Sequence, residues 1–151
     1  MSKVIEQLNS RFTIVCETVF NGEKISNSIF VKDTYVDKLI VKLSPLYPTE
    51  IINNSIVGTN SDEHFFYIDT RTAEVVVINQ TNAGFEFLNS DLIHINGPDG
   101  EILFNTTESK VKATTSSGMF LFEHGLIKCV ENNSTRIYDK TGELMSTIPN
   151  I

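Results

Sequence analysis

The sequence predicts an all-β fold, an antiparallel meander that forms a sandwich, a barrel or propeller-like sheets. Two observations support this fold class. Apolar and polar residues alternate with a period of two along much of the chain, as expected for strands with one buried face. Short turns rich in Asn, Asp and Gly separate these segments. With 151 residues and 40% apolar content, the chain is long enough to bury a core without metal or disulfide cross-links.

The N-terminal region combines the one predicted helix with the first predicted hairpin. Residues 2–9 are compatible with two helical turns, with Ser2 as the cap and Val4, Ile5 and Leu8 on one face. The segment RFTIVCETVF then alternates, with Phe12, Ile14, Cys16 and Phe20 on one side. Asn-Gly is a strong hairpin signal, so NGE at 21–23 predicts a turn and KISNSIFVK predicts the returning strand.

A proline-containing loop divides this region from the rest. Residues 38–43 (KLIVKL) predict a further strand, and SPLYP at 44–48 ends it, because Pro45 and Pro48 lack backbone donors. We expect a single all-β domain over 1–151. If the chain is subdivided, the boundary lies near 44–50, between an N-terminal hairpin region (1–43) and a repeated meander (51–151).

The second half predicts eleven strands joined by short turns. They are expected at 54–58, 64–69, 74–79, 85–88, 91–96, 101–105, 109–114, 118–123, 126–131, 135–139 and 143–148.

A similar turn phrase occurs three times in this region: YIDTRTAEVVVI, HINGPDGEILF and RIYDKTGELMSTI. The three align on Glu74, Glu101 and Glu143. In each, Asp or Asn starts the turn by accepting a backbone hydrogen bond two residues on. Gly closes the last two turns at a positive φ, and Ala73 in that position predicts a different turn in the first. The intervals between the aligned glutamates, 27 and 42, indicate an irregular period.

The last phrase extends backwards into a four-stranded meander over 117–148, SGMFLFEHGLIKCVENNSTRIYDKTGELMSTI. This segment resembles a blade of WD40-like β-propellers, in which a strand ending in Asp runs through a Thr-Gly turn into the next strand. Tyr138 stands where the WD dipeptide has Trp, and no Gly-His pair opens the repeat. The resemblance implies a four-stranded antiparallel sheet here and assigns no family to the whole chain. Other up-and-down antiparallel proteins also reuse such turns.

Histidines and carboxylates are the side chains that could supply chemistry. His64, His94 and His124 lie thirty residues apart, a spacing that suggests a three-histidine metal site. That interval does not match the intervals of the turn phrase, and adjacent Glu and His in a strand point to opposite faces. Acidic pairs such as Asp62/Glu63 and Asp91/Glu86 are expected from 19 acidic residues alone. The sequence therefore assigns no catalytic, cofactor-binding or metal-ligating residue, and the chain is not expected to be an enzyme.

Charge and composition limit the partners and the location. A net charge of −7 with scattered Lys and Arg disfavours nucleic acid, because phosphate binding needs clustered cations. No signal peptide and no apolar run of membrane-spanning length are found, which predicts a cytoplasmic protein without membrane contact. Cys16 and Cys129 fall in strand-like segments and are expected to be buried free thiols, with a disulfide or a metal site as the alternatives.

These observations predict a non-catalytic protein-interaction or assembly module. Its partner would be another protein or a second copy of the chain, since the sheet edges and the Phe-rich segments HFFYI, GFEF and MFLF could form an interface. The abundance of Ile and Asn suggests an AT-rich genome and a phage or viral origin.

Two alternative functions stay open. One is a small β-domain that binds a carbohydrate or other ligand through loops, using Tyr35, Tyr47, Tyr67 or Tyr138. The other is an acidic inhibitor of a nucleic-acid-binding protein.

Overall fold

The structure, a computed structural model, describes residues 2–81 and 84–150. These residues are all-β, which confirms the predicted fold class. Sixteen strands lie within them: β1 (Ser2–Gln7), β2 (Phe12–Asn21), β3 (Lys24–Asp33), β4 (Lys38–Lys42), β5 (Glu50–Ile52), β6 (Ser55–Thr59), β7 (His64–Asp69), β8 (Val75–Thr81), β9 (Gly84–Phe87), β10 (Leu92–Gly97), β11 (Gly100–Asn105), β12 (Lys110–Thr115), β13 (Met119–Glu123), β14 (Leu126–Val130), β15 (Ser134–Tyr138) and β16 (Leu144–Pro149).

The strands form four antiparallel sheets of four strands each, in the parts of the chain described. Every sheet takes its strands in chain order, β1–β4, β5–β8, β9–β12 and β13–β16, so each is a simple meander. The meander expected for 117–148 is therefore confirmed in β13–β16 and is repeated in the other three sheets. All eleven strands predicted in the second half lie within two residues of observed ones. The three-residue β5 was missed because it is too short to show an alternation.

The predicted N-terminal helix is wrong. Residues 2–7 form β1, which pairs antiparallel with β2 from Ser2↔Glu17 to Gln7↔Thr13. A helix of two turns is marginal in water, whereas the adjacent β-branched residues Val4 and Ile5 favour an extended backbone. Backbone hydrogen bonds to β2 then supply what the isolated segment lacks.

The chain divides into two compact units, Met1–Thr81 and Asn82–Ile151. The loop near 44–50 joins the first two sheets inside the first unit. In each unit one apolar cluster draws on both sheets. The first cluster contains Phe12, Ile14, Val31, Val41, Leu43, Ile56, Phe66 and Ile68. The second contains Leu92, Leu103, Ala113, Phe120, Ile127, Cys129 and Tyr138.

The internal repeat is more regular than the turn phrase indicated. The corner between the third and fourth strands of each sheet begins at a residue with a carboxylate or amide side chain: Asp33, Asp69, Asn105 and Asp139. The intervals are 36, 36 and 34 residues. The alignment of HINGPDGEILF with the other two phrases is wrong, because that segment forms the hairpin between β10 and β11, the second and third strands of its sheet. The true third copy is the corner that begins at Asn105.

The four corners share their local hydrogen bonds. Each Asp or Asn side chain accepts a backbone N–H two or three residues on: Tyr35 at 3.1 Å, Arg71 at 2.9 Å, Glu108 at 2.8 Å and Thr141 at 2.8 Å. In the first three corners the next residue is Thr34, Thr70 or Thr106, whose backbone N–H and hydroxyl both donate to the segment before the second strand. These bonds tie the corner to the neighbouring loop in three of the four sheets.

Near the end of each corner lies a residue with a positive φ: 53° at Asp37, 63° at Ala73, 53° at Ser109 and 91° at Gly142. Ala73 therefore occupies the left-handed region that Gly occupies in the last corner. The turn differs as expected, because the Ala73 N–H donates to the carbonyl four residues back, whereas the Gly142 N–H donates three residues back.

Candidate functional site

The hairpin of β2 and β3 is the longest in the part of the chain described. Its register runs unbroken from Phe12↔Asp33 to Asn21↔Lys24. The turn between the strands is Gly22-Glu23, with Gly22 at φ 65°, as a type II′ turn prefers at its first central position. The hairpin predicted at NGE is thus confirmed, with the turn centred one residue later than Asn-Gly.

The flanking strands reach only the base of this hairpin. β1 pairs with β2 between Thr13 and Glu17, and β4 pairs with β3 between Phe30 and Asp33. Neither register reaches the four pairs from Thr18↔Asn27 to Asn21↔Lys24. We call residues 18–27 the hairpin tip. Four residue pairs at about 3.3 Å per residue extend the tip by about 13 Å beyond its neighbours.

The tip exposes apolar side chains that the base would bury. Phe20 and Ile25 pair across the strands and are each 63% exposed, and Val19 is 57% exposed. By the two-residue period of a strand, Phe20 lies on the same face as Phe12 and Ile14, which are buried in the first cluster. The tip therefore continues the core-facing side of the sheet past the end of the core.

A second feature, in the other unit, is a pocket of about 230 Å³ around the turn between β13 and β14. We call it the turn pocket. Its apolar lining consists of Leu88, Phe122, Leu126 and Ile127, and its polar lining of Asn89, Glu123, His124, Gly125 and Lys140. Residues from three separate segments of the chain thus surround one small apolar space with charged groups beside it.

His94, one of the three predicted histidines, lies buried between two carboxylates. Its Nδ1 is 3.2 Å from Glu86 Oε1 and its Nε2 is 2.7 Å from Glu101 Oε1. The rings of Phe120 and Phe122 pack edge-on at centroid distances of 6.1 and 5.1 Å. Because the carboxylates lie at opposite nitrogens of one ring, the three groups do not converge on a single point. This arrangement orients the imidazole across β9, β10 and β11.

The other histidines occupy different surroundings. His124 is exposed in the β13–β14 turn at φ 51°, and His64 begins β7 in the first unit. In residues 2–81 and 84–150 no group of three or more His, Cys, Asp or Glu is placed to hold a metal ion. Of the predicted acidic pairs, Glu86 contacts His94, whereas Asp91 accepts a hydrogen bond of 2.8 Å from the Thr107 hydroxyl. The Glu86–His94–Glu101 contact was not predicted because cross-strand register cannot be read from spacing.

The tyrosines and cysteines divide between buried and exposed positions. Tyr67 and Tyr138 are buried, and burial raises the pKa of the Tyr138 phenol. Tyr35 and Tyr47 are exposed in loops of the first unit. Both cysteines are free thiols: Cys129 is buried, as predicted, and Cys16 is half-buried.

Comparison with known proteins assigns no family. No protein-family model matches the chain, and no curated protein matches it significantly. Solved structures similar to it include HIRA(644-1017), with 6% identity, a TM-score of 0.44, and coverage of 99% of this chain and 56% of that one. BamB from Moraxella catarrhalis has 13% identity, a TM-score of 0.42, and coverage of 93% and 46%. KlHsv2 with loop 6CD replaced by a Gly-Ser linker has 13% identity, a TM-score of 0.42, and coverage of 89% and 47%.

The four-stranded antiparallel sheets are themselves of the kind that the resemblance of 117–148 to a propeller blade implies. The chain spans about half the length of the solved structures that it matches. Because all three TM-scores are below 0.5, neither a family nor a function is assigned from them. Over the ranges that the structure covers, no helix has the length and apolar character needed to cross a membrane.

Proposed function

We propose that this chain is a non-catalytic protein-interaction or assembly module that binds its partner through the hairpin tip. The observation that carries this proposal is the exposure of Phe20, Ile25 and Val19 on a hairpin segment that extends past both flanking strands. Phe20 and Ile25 are cross-strand partners on one face of the hairpin, and Val19 lies on the other face. Neighbouring exposed apolar side chains such as Phe20 and Ile25 mark interaction surfaces. Large aromatic and aliphatic anchors commonly dominate the binding energy of such surfaces.

The backbone of the tip supports the same function. A two-stranded hairpin without further neighbours is only marginally stable in water, so a tip of this length gains from contact with another surface. Before Phe30 on β3, the strand edge lies outside the register of β4. Such an edge can pair with an added strand, while Phe20 and Ile25 contact apolar side chains of the partner.

The alternatives gain no specific support. A carbohydrate site would use exposed tyrosines, and two of the four are buried. An acidic inhibitor needs uncompensated carboxylates on one face. In this structure several carboxylates instead form ion pairs with arginines, for example Asp33 with Arg11 at 2.8 Å and Glu131 with Arg136 at 2.9 Å.

The test is an affinity capture with three forms of the tagged chain in lysate of its source organism, supplemented with an untagged copy of the chain. The forms are the wild type, the double variant Phe20→Ser/Ile25→Ser, and the control Leu46→Ser, which changes an apolar side chain that is 73% exposed outside the tip. Mass spectrometry with stoichiometry identifies what is recovered.

We expect the wild type and the control to recover the same protein, another protein or the untagged copy, at a fixed ratio. The double variant should lose it while keeping its fold, checked by circular dichroism. Retention of that protein by the double variant, or recovery of no protein by any form, would contradict the proposal.

A further inference from the structure

We infer that His94 is a pH-sensitive switch, whose protonated ring ties the edge strand β9 to its sheet and whose neutral ring releases it. The inference goes beyond the proposed function and does not depend on it. It rests on the positions of two carboxylates around one buried imidazole.

Both ring nitrogens of His94 face a carboxylate, and this limits what each protonation state can bind. An ionised carboxylate only accepts hydrogen bonds, and a neutral imidazole carries a single N–H. The imidazolium carries two, so it alone can donate both to Glu86 at 3.2 Å and to Glu101 at 2.7 Å. After the ring loses a proton, one of the two carboxylates must face the lone pair of a ring nitrogen.

The surroundings of the two carboxylates decide which contact is lost. The Glu101 side chain is 13% exposed, and its Oε1 also accepts the backbone N–H of Phe120 at 3.3 Å. The Glu86 side chain is 62% exposed, so water can replace its contact with the ring. A buried acceptor that loses its partner costs more free energy than an exposed one. The neutral ring should therefore keep its proton on Nε2, toward Glu101, and release Glu86 to solvent.

Strand β9 is the element that depends on the Glu86 contact. It has four residues and forms one edge of its sheet, with β10 as its only sheet partner within residues 84–150. Short segments with few contacts are where native proteins open locally. Beside the contact lies a cavity of about 180 Å³, which is lined by Gly84, Phe85, Glu86, His94 and Asn96. This space lets the Glu86 side chain move away from the ring.

The charged groups of the neighbouring sheet have partners of their own. On β13, whose two phenylalanine rings pack against His94, Glu123 lies on the face opposite Phe122. Its carboxylate is 3.5 Å from the Lys128 ammonium. Glu131 and Arg136 form an ion pair of 2.9 Å. The charge of the imidazole therefore acts first on Glu86 and Glu101, the two groups it touches.

The first test is NMR of the purified, ¹⁵N-labelled chain between about pH 5 and pH 8, the range in which histidines ordinarily change charge. The nitrogen shifts of an imidazole report whether each nitrogen carries a proton. We expect both nitrogens of His94 to be protonated at the acidic end and only Nε2 at the alkaline end. A ring that keeps one form over the whole range, or whose remaining proton lies on Nδ1, would overturn the inference.

The second test is amide hydrogen exchange of β9, corrected for the intrinsic effect of pH on exchange. In the wild type, protection of residues 85–87 should fall about two- to fivefold across the same pH range, the effect of one exposed ion pair. In Glu86→Gln this fall should disappear, because an amide can accept from the imidazolium and donate to the neutral ring. The control His124→Gln removes an exposed histidine of the same unit and should keep the wild-type fall.

Three outcomes of the exchange experiment would overturn the inference. They are protection of β9 that does not change with pH in the wild type, an equal fall in Glu86→Gln, and loss of the fall in His124→Gln. The hairpin tip lies in the other unit, so none of these outcomes bears on the proposed function.

Discussion

The hairpins β2–β3 and β10–β11 occupy the same place in their sheets but differ in length and exposure. Both join the second and third strands of a four-stranded meander. In β10–β11, six residue pairs run from Leu92↔Asn105 to Gly97↔Gly100, and Leu92, Ile93, Leu103 and Phe104 are fully buried. In β2–β3, the pairs from Phe12↔Asp33 to Glu17↔Ser28 match that length, and four more pairs follow.

The comparison shows which residue pairs of the β2–β3 hairpin the fold requires and which it does not. Six pairs suffice for a hairpin in this position, since β10–β11 has no more. The additional four pairs carry Val19, Phe20 and Ile25 into solvent, where they lose the roughly 1.5–3 kcal/mol that burial of such a side chain contributes. We therefore expect the base of β2–β3 to behave as a part of the core and the tip to matter only for association.

The largest expected difference in stability is between the alanine variants of two phenylalanines in β2, Phe12 and Phe20. Phe12→Ala should lower the free energy of unfolding by about 3–5 kcal/mol, because Phe12 is fully buried in the first cluster. Phe20→Ala should change it by no more than about 0.5 kcal/mol, as for an exposed site. Chemical denaturation monitored by circular dichroism measures both. Equal losses would show that the tip packs against the protein and would break the distinction between base and tip.

The next largest loss of stability is expected at the corner between β3 and β4, which begins at Asp33. Asp33 is buried and accepts two hydrogen bonds of 2.8 Å from the Arg11 guanidinium, and Asp33→Asn should cost about 1–3 kcal/mol of unfolding free energy. Asp139→Asn is the matched change in the fourth sheet. There the carboxylate accepts from Thr141 and Glu143 without an arginine, so a smaller loss is expected. A larger loss at Asp139 would contradict the role of the Arg11 pair.

The same corner makes stability depend on pH in acid. The hydrogen bonds from Arg11 hold the pKa of Asp33 below its ordinary value of 3.8, even though burial opposes this shift. The native state thus binds this proton less readily than the unfolded chain. The resulting stabilisation is complete above the unfolded pKa and is lost as pH falls through the lower folded pKa. Unfolding curves recorded between neutral pH and pH 2 should therefore show a shallower acid loss in Asp33→Asn than in the wild type. Identical slopes would exclude this carboxylate as a source.

Smaller effects are expected at the threonines of the repeated corners. Thr34→Val, Thr70→Val and Thr106→Val each remove a hydroxyl that donates to a backbone carbonyl at 2.6, 3.0 and 3.2 Å. Each should cost about 0.5–1.5 kcal/mol. Ser26→Ala in the exposed tip serves as the control and should cost almost nothing. Thermal unfolding compares the four variants, and a control as damaging as the threonine changes would indicate that the tip takes part in folding.

Removal of the tip itself should change stability little. Replacing residues 18–27 with Asn-Gly leaves the six pairs found in β10–β11 and closes them with a favoured two-residue turn. The free energy of unfolding should change by less than about 1 kcal/mol, while partner capture is lost. A shortened chain that fails to fold, or that still captures the partner, would contradict the comparison.

The sequence predicted the strands well because alternation and turn residues act locally. The prediction failed where the structure depends on contacts between residues far apart in the sequence. Residues 2–7 become a strand only through pairing with β2. The repeat of 34–36 residues was missed because the alignment used Glu, which also follows the hairpin turn between β10 and β11. The anchoring Asp or Asn instead lies at the end of the third strand or directly after it.

The candidate site was only partly visible in the sequence. Alternation placed Phe20 on the face of Phe12 and Ile14, yet alternation cannot show where the neighbouring strands end. The short predicted strand at 38–43 was the signal that could have revealed an unflanked tip, since five or six residues cannot cover a ten-residue partner. The turn pocket combines residues 88–89, 122–127 and 140, which no sequence spacing relates.

The most direct test of the central claim is amide hydrogen exchange of the wild-type chain, alone and with the partner recovered by affinity capture. We predict that the base, residues 12–17 and 28–33, is protected in both samples, because it belongs to a four-stranded sheet. The tip, residues 18–27, should exchange rapidly in the chain alone and become protected when the partner is bound. A tip that is as protected as the base in the chain alone, or that exchanges equally fast in both samples, would contradict the account.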